Sequence, residues 1–307
     1  MNPNLSLSIG VACAGVGGEL FVRGLVGLAS WARVSAGIIA TTVAAFATSS
    51  PELSVALGAA LSGRPEISLG DALGSNVVNV ALILAVALCL SAMSSPRASV
   101  RRDFPVALLV PVAIGALGFD GRLSHADGVV LLVFFIIWLS LVVNNARQQR
   151  GAASAPPPGK GYRGRAIGQS LAGLAFLVGS GHFIVQGARG IAMTFDIPEF
   201  VIGATVVAVG TSMPELATTV ISKLRGYDEI GLGTVLGSNV FNGLFIIGVT
   251  AMICPIQLDP HEVRWALGFG VLTTLLTFPQ RDGLIPRWRG AALLGLYVLF
   301  VVGVVRK

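Results

Sequence analysis

Long apolar runs alternate with short polar breaks along the whole chain, and their length is typical of membrane-crossing helices. A helix needs about 20 residues to span a hydrocarbon core of about 30 Å, and most runs reach that length. A period-two alternation of apolar and polar residues is absent, which argues against a β-barrel. We therefore predict an all-α polytopic membrane protein with ten transmembrane helices. The predicted spans are 4–28, 34–62, 67–93, 104–119, 127–146, 167–192, 197–224, 230–254, 264–279 and 288–305.

The second run is interrupted by "ATSSPE" at 47–52, which places a proline and a carboxylate inside a span. This motif recurs 163 residues later as "GTSMPE" at 210–215, and "LGSNVVN" at 73–79 recurs as "LGSNVFN" at 236–242. With the same offset, 22 of 45 consecutive positions around these motifs are identical. Shared apolar composition does not produce identical polar residues at identical spacing, so the chain contains an internal repeat.

Each repeat unit contains five predicted spans. Because five is odd, the second unit enters the membrane from the opposite side, which predicts two inverted-topology five-helix repeats. We place the first repeat at 1–146, a cytoplasmic linker at 147–166 and the second repeat at 167–307. The linker is rich in Pro, Gly and Ala, which is typical of a flexible connection. Inverted repeats are a common plan of secondary transporters, whose substrate sites lie near the bilayer midplane.

Composition supports this class, and the distribution of charge predicts the orientation. The chain is 54% hydrophobic and 12% charged, whereas ordinary soluble domains are about 25% charged. The net charge of +6 comes from basic loops, and alternate loops carry 14 and 6 Lys or Arg residues. Basic residues are enriched on the cytoplasmic side. We therefore predict a multi-pass protein of the cell (inner) membrane with both termini on the outer side. We expect neither nucleic-acid binding nor a removable signal peptide.

Glu52 and Glu215 are carboxylates inside predicted spans, where ionisable residues are costly and mark functional sites. A single glutamate could serve as a helix contact, but two repeat-related glutamates with hydroxyl neighbours favour a shared site. Pro51 lacks an N–H and clashes with the preceding turn, so we expect it to free backbone carbonyls around Ala47 and Thr48. Freed carbonyls at membrane depth need partners, and a bound cation is one such partner.

The polar residues shared by both repeats offer only oxygen ligands. Residues four apart on a helix share a face, as Thr48 and Glu52 do. Carboxylate, amide and hydroxyl oxygens suit hard cations such as Ca²⁺ and Na⁺ rather than Zn²⁺ or Cu⁺. The two carboxylates balance one Ca²⁺ or two monovalent cations, which makes exchange natural. The candidate ligands reached in this way are Thr48, Glu52, Ser75, Asn79, Thr211, Glu215, Ser238 and Asn242.

The paired motifs G-T-S-x-P-E and G-S-N-x-x-N resemble the two alpha repeats of the cation/calcium exchanger superfamily, and prokaryotic sodium/calcium exchangers in particular. The resemblance covers nearly the whole chain. It implies ten helices in two inverted halves, alternating access, and first spans that slide against the core. It also implies that Glu52 and Glu215 are the central ligands and that the carbonyls of Thr48 and Thr211 help to bind Ca²⁺. The flanking Na⁺ sites that it implies contain Ala45, Ser49 and Ser75, with Ala208, Ser212 and Ser238.

Two positions depart from this pattern. Ala47 replaces the motif glycine of the first repeat, at the expected helix break. Asn242 stands where some relatives carry an aspartate, so this site has one acid fewer than theirs. The departure leaves open the stoichiometry, the potassium dependence and the choice between Na⁺ and H⁺ as the coupling ion.

Our leading hypothesis is a monomeric antiporter in the lipid bilayer that exchanges Ca²⁺ for Na⁺ and uses no organic cofactor. The alternative is a Ca²⁺/H⁺ antiporter of the same superfamily, in which the two glutamates carry protons. The repeated hydroxyls favour Na⁺, because protons need no such ligands. A channel is disfavoured because channels arrange ligands in rings with subunit symmetry. An enzyme is disfavoured because no nucleophile–base pair recurs in the two repeats.

Other acidic residues lie near the repeated motifs. Glu66 and Glu229 also repeat, but they lie at turns, where capping a helix start is at least as good an interpretation as ion capture. Asp71 does not repeat, since Thr234 occupies the equivalent position, and we interpret it as a helix cap. The three cysteines lie in apolar runs at unrelated spacings, which predicts neither a disulfide nor a zinc site.

Overall fold

The computed structural model describes residues 2–152, 160–194 and 208–305, and nearly all of them are helical. Helices suit a bilayer because they satisfy every backbone hydrogen bond within one segment. The first half contains α1 (Pro3–Ala32), α2 (Ala36–Ile39), α3 (Ala45–Thr48), α4 (Ser50–Leu61), α5 (Pro65–Val78), α6 (Ala85–Leu90), α7 (Arg97–Leu117) and α8 (His125–Ala152). The second half contains α9 (Lys160–Thr194), α10 (Ala208–Thr211), α11 (Met213–Leu224), α12 (Asp228–Val240), α13 (Ile247–Ile253), α14 (Pro260–Leu276) and α15 (Trp288–Val305).

Short π-helical segments join some of these α-helices end to end into longer continuous helices. They continue the helix on either side, so that α2 joins α3, α5 joins α6 and α12 joins α13. They are Ala40–Ala44, Asn79–Leu84 and Phe241–Ile246. A 3₁₀ turn, Gly118–Asp120, follows α7. Single-turn π-bulges occur frequently at functional sites, and two of these segments contain the repeated Asn79 and Asn242.

Six described helices are long and apolar enough to cross a membrane, and a seventh span is bent in the middle. The straight spans are Pro3–Ala32, Pro65–Leu90, Ser99–Asp120, His125–Gly151, Tyr162–Gly187 and Asp228–Ile253. The bent span comprises Ala36–Thr48 and Ser50–Leu61, and two shorter apolar helices are Val263–Leu276 and Trp288–Val304. The protein is therefore a multi-pass membrane protein. The start of the predicted span 197–224 lies outside the described residues, so the count of ten stays a prediction.

α8 extends to Ala152 and α9 begins at Lys160, so helices occupy both described ends of the predicted linker. The outer surface of α8 is apolar, as a lipid-facing surface must be. Ile136, Ile137 and Leu141 each expose half or more of their side chain. Elsewhere, apolar side chains of α5, α7 and α12 form one continuous core, which holds the central helices in place.

α1 and α9, the first helices of the two halves, lie against each other in antiparallel orientation. Gly10 meets Ile184, and Gly24 meets Ser170, so residue numbers rise on one helix as they fall on the other. Between them, a Cβ added to Gly17 would lie 3.0 Å from the carbonyl oxygen of Gly173. Such small residues let membrane helices approach closely, so these two helices form one tightly packed pair.

Two short strand pairs also connect the halves. β1 (Met93–Ser94) pairs antiparallel with β4 (Leu284–Ile285). β2 (Arg122–Leu123) pairs antiparallel with β3 (Ile256–Gln257). Each pair takes one strand from each half, so the ends of the helices in one half are tied to those of the other.

Candidate cation site

The second span breaks where its motif contains proline. α3 ends at Thr48, Ser49 has φ −86° and ψ 11°, and α4 starts with Pro51 in its first turn. The two parts of the span meet at an angle of 46°. Ser212 has the same φ and ψ, with Pro214 in the first turn of α11. The repeated motif therefore produces the same backbone break in both halves.

The two breaks differ in how they satisfy the carbonyl that proline leaves free. In the first half, the hydroxyl of Ser50 donates to the carbonyl oxygen of Ala47 at 2.6 Å. This carbonyl therefore receives a local side-chain donor in place of the missing backbone N–H. In the second half, Met213 takes the place of Ser50 and has no donor to offer Gly210.

Serines from both halves converge on the carboxylate of Glu215. Ser49, at the first break, donates to Oε1 of Glu215 at 3.2 Å. Ser238, on α12, donates to the same oxygen at 3.3 Å. Glu215 is 1% exposed, so this meeting point lies inside the protein. The structure thus brings together three predicted site residues that are distant in sequence.

The amide groups of the LGSN motifs form a second contact between the halves. Asn79 donates through Nδ2 to Oδ1 of Asn239 at 3.0 Å. The side chains of Asn76 and Asn239 each donate to the other's backbone carbonyl. Sequence reasoning did not select Asn76 and Asn239, although both belong to the repeated motif. Their identity at equivalent positions was the signal that could have identified them.

The remaining predicted residues are also placed around these contacts. Thr48 donates through Oγ1 to the carbonyl oxygen of Ala45 at 3.4 Å, so that carbonyl already has a partner. Thr211 is partly exposed, and the side chain of Ala208 lies outside the described residues. All other predicted ligands are at least 97% buried, namely Ala45, Thr48, Ser49, Glu52, Ser75, Asn79, Ser212, Glu215, Ser238 and Asn242.

Several buried oxygens at this site have no hydrogen-bond partner among the described residues. A buried polar atom without a partner costs about 1–3 kcal/mol, and more if it is charged, so a cluster of them indicates a missing ligand. Thr218 and Thr219, which do not repeat, add two further unpartnered hydroxyls on α11. The unpartnered oxygens of the predicted ligands are Glu52 Oε2, Asn79 Oδ1, Ser212 Oγ, Glu215 Oε2 and Asn242 Oδ1.

The buried negative charge of the site favours a cation as the ligand. In the described part of the chain, no ion pair involves Glu52 or Glu215, although both are 1% exposed. Burying a carboxylate without a counter-charge is very unfavourable. The described residues also contain no cluster of three His, Cys, Asp or Glu side chains. A cation bound here would therefore be held by two carboxylates together with neutral amide, hydroxyl and carbonyl oxygens.

The other acids near the repeated motifs differ in where they lie along their helices. Glu66 and Glu229 lie in the first turns of α5 and α12, as expected for residues at a helix start. Asp71 lies in the middle of α5, so the prediction that it caps a helix was wrong. It lies four residues before Ser75, and therefore on the same face of the helix.

The sequence of the chain is similar to those of known membrane transport proteins. The chain matches the family described as Sodium/calcium exchanger protein over residues 5–144 and 165–306. It is 33% identical over 249 residues to the putative antiporter CaxA of Alkalimonas amylolytica, covering 78% of this chain and 77% of CaxA. It is 30% identical over 339 residues to the sodium/calcium exchanger MaX1 of Methanosarcina acetivorans, covering 97% of each.

A solved structure also resembles the whole fold. It is that of the sodium-calcium exchanger NCX_Mj soaked with 2.5 mM Na⁺ and 10 mM Sr²⁺. The TM-score is 0.84 with 28% identity, and the match covers 98% of each chain.

Proposed function

Because the chain belongs to the sodium/calcium exchanger protein family, as its paired motifs predicted, we propose that it exchanges Ca²⁺ for Na⁺ across the membrane. The observation that carries the proposal is the convergence of both halves on one buried acidic site. Ser49 and Ser238 donate to Glu215, while Glu52 and Glu215 each keep one carboxylate oxygen that has no hydrogen-bond partner in the described part of the chain. Membrane helices tolerate such groups where they bind a transported ion.

The ligand chemistry supports Ca²⁺ and Na⁺ as the substrates. Ca²⁺ takes 6–8 oxygen ligands in flexible geometry, and two carboxylates with neighbouring amide and hydroxyl oxygens can supply that number. One Ca²⁺ or two Na⁺ neutralise Glu52 and Glu215. The two ions therefore compete for the same charge, and competition at a single site is the basis of exchange. Ser212, whose hydroxyl has no partner among the residues that the structure describes, is a candidate neutral ligand for Na⁺.

The arrangement of the halves supports alternating access. α1 and α9 are antiparallel, as the first helices of two inverted repeats would be. We propose that this pair slides against the core that contains α4, α5, α11 and α12, so that the site opens to one side at a time. We also propose that the protein works as a monomer in the inner membrane, with both termini outside.

The test is uptake of radioactive Ca²⁺ into proteoliposomes. Vesicles loaded with Na⁺ are compared with vesicles loaded with choline, each with and without an imposed pH gradient. We expect uptake to require internal Na⁺ and to be unchanged when the pH gradient is collapsed by an ionophore. Uptake that follows the pH gradient and ignores Na⁺ would replace this proposal with the Ca²⁺/H⁺ antiporter.

A further inference from the structure

A cavity of about 510 Å³ lies between the start of α7 and the end of α8, and none of the cation-site residues lines it. Both helix ends are on the side predicted to be cytoplasmic. The polar part of its lining consists of two arginines and three side-chain amides. The residues that matter here are Arg101, Arg102, Asn145 and Gln148, with the apolar Val106 and Leu141.

Arg102 is fixed in place but not fully partnered. Its Nε and Nη2 donate to the carboxylate of Asp103 at 2.7 and 2.9 Å, and Ser99 donates to the same carboxylate at 2.6 Å. The side chain of Arg102 is only 8% exposed. Its Nη1 is buried without a hydrogen-bond partner among the described residues. Buried donors are normally hydrogen-bonded, so Arg102 keeps one N–H group for an acceptor that the described residues do not supply.

The local charge indicates that this acceptor is an anion from outside the chain. Asp103 neutralises Arg102, whereas Arg101, which also lines the cavity, has no ion-pair partner among the described residues. The neighbouring segment 147–166 contains no Asp or Glu and adds five basic residues. It therefore cannot supply the missing negative charge, and it makes the region more attractive to anions.

The position and polarity of the cavity match a phospholipid. Arg101 lies near the start of the span Ser99–Asp120, and Gln148 near the end of the span His125–Gly151. These positions correspond to the depth of lipid headgroups. Val106 and Leu141 lie further into their spans, and Leu141 is 50% exposed. The cavity thus has a basic end at headgroup depth and an apolar end that faces acyl chains.

We propose that this cavity binds the phosphate of an anionic phospholipid, with Arg101 and Arg102 as the anion-binding residues. Arginine suits phosphate because its planar donors match the oxygens of the anion. Basic pockets between membrane helices on the cytoplasmic side are known to bind such headgroups. The shared chemistry is a phosphate group, and the apolar end of the cavity favours a lipid over free phosphate. The proposal does not depend on which cation the protein exchanges.

The test is thermal unfolding of the full chain purified in a neutral detergent. The additives are phosphatidylglycerol, phosphatidylcholine and inorganic phosphate, compared at equal phosphate concentration. We expect phosphatidylglycerol to raise the Tm and the other two to leave it unchanged. In Arg101→Gln, we expect the apparent affinity for phosphatidylglycerol to fall about fivefold, since a basic residue near the membrane surface contributes about 1 kcal/mol. Arg102→Lys keeps a charge beside Asp103 but removes Nη1, and should have a similar effect.

Arg97→Gln is the matched control, because Arg97 is an exposed residue of the same helix that does not line the cavity. Its response to phosphatidylglycerol should equal that of the unmodified protein. If Arg102→Lys fails to fold, the comparison of Arg101→Gln with Arg97→Gln is enough to test whether the cavity binds phosphatidylglycerol. Three results would overturn the proposal: no response to phosphatidylglycerol, an equal loss in Arg97→Gln, or an unreduced response in Arg101→Gln. An equal response to inorganic phosphate would reassign the cavity from lipid to free phosphate.

Discussion

Asn76 and Asn239 exchange hydrogen bonds across the two halves, since each side-chain amide donates to the other's backbone carbonyl at 3.1 Å. The two residues are 163 positions apart, which is the offset of the repeat. Equivalent residues of the two halves therefore contact each other directly, where α5 crosses α12. Asn239 also accepts a hydrogen bond from Asn79. This contact joins the crossing of the helices to the candidate cation site.

Asn239→Ala should destabilise the protein. It removes a donor to Asn76 and an acceptor for Asn79, and the buried groups left behind cost about 1–3 kcal/mol each. We expect a lower Tm in detergent and a smaller free energy of unfolding. Asn144→Ala is the control, because Asn144 is exposed on α8, and its effect should stay within about 0.5 kcal/mol. Equal stability of the two variants would contradict the structural role of the crossing.

Glu52→Gln and Glu215→Gln should each abolish Ca²⁺ uptake, to the level of empty liposomes. Each removes one of the two charges that we propose to balance a divalent cation. In buffer without Ca²⁺ and Na⁺, however, the Tm should stay equal or rise, because an uncompensated buried charge is removed. The rise in Tm on adding Ca²⁺ should disappear in both variants.

Glu66→Gln is the control for these two variants, since Glu66 is an exposed acid in the first turn of α5. It should keep both uptake and the Ca²⁺-induced rise in Tm. Transport retained in either Glu52→Gln or Glu215→Gln would show that the site has been assigned to the wrong residues.

Ser212→Ala should weaken the dependence on Na⁺ without a loss of stability. The Ser212 hydroxyl is buried without a partner among the described residues, so removing it breaks no hydrogen bond seen in the structure. We expect the half-saturating Na⁺ concentration to rise about tenfold, which corresponds to about 1.4 kcal/mol. Exchange of Ca²⁺ for Ca²⁺ should continue.

Ser54→Ala is the control for Ser212→Ala, because Ser54 is an exposed serine of α4. It should change neither the half-saturating Na⁺ concentration nor the exchange of Ca²⁺ for Ca²⁺. A parallel loss of both exchange modes in Ser212→Ala would instead make Ser212 a Ca²⁺ ligand.

Gly173→Ala should disrupt the packing of α9 on α1. The added Cβ would lie 2.8 Å from the carbonyl oxygen of Gly17 and would also collide with the backbone of Phe21. Overpacking of this kind costs about 1–3 kcal/mol, and we expect a lower Tm and slower transport. In Gly179→Ala, on the same helix, the added Cβ has no described atom within 4 Å, and this variant should have little effect. Similar behaviour of the two variants would contradict the close contact between these helices.

Much of this protein could be predicted from local pattern. Apolar run length predicted the six straight spans and the bent span that the described residues contain, because a bilayer imposes both the length of its helices and their backbone hydrogen bonding. The repeated proline motif predicted breaks near Pro51 and Pro214, because proline disrupts a helix wherever it occurs. The doubled acidic and amide residues identified the candidate site, since such groups are rarely placed in a membrane without a function.

Other features required the folded chain. The bond from Ser50 to Ala47 depends on the local backbone after the break, and the mid-helix position of Asp71 depends on where α5 begins. The role of Asn76 and Asn239 could not be separated from that of their neighbours in the motif until the two halves were seen in contact.

The sequence by itself determined that two acidic, oxygen-rich segments recur inside membrane helices, because repetition and hydropathy are properties of the chain alone. Only the tertiary structure decided which groups meet. It directs Ser49 and Ser238 to Glu215 and leaves Glu52 Oε2 and Ser212 Oγ without hydrogen-bond partners among the described residues. The reason is that hydrogen bonds between different helices depend on how those helices cross, and helix crossing is set by packing over the whole interface.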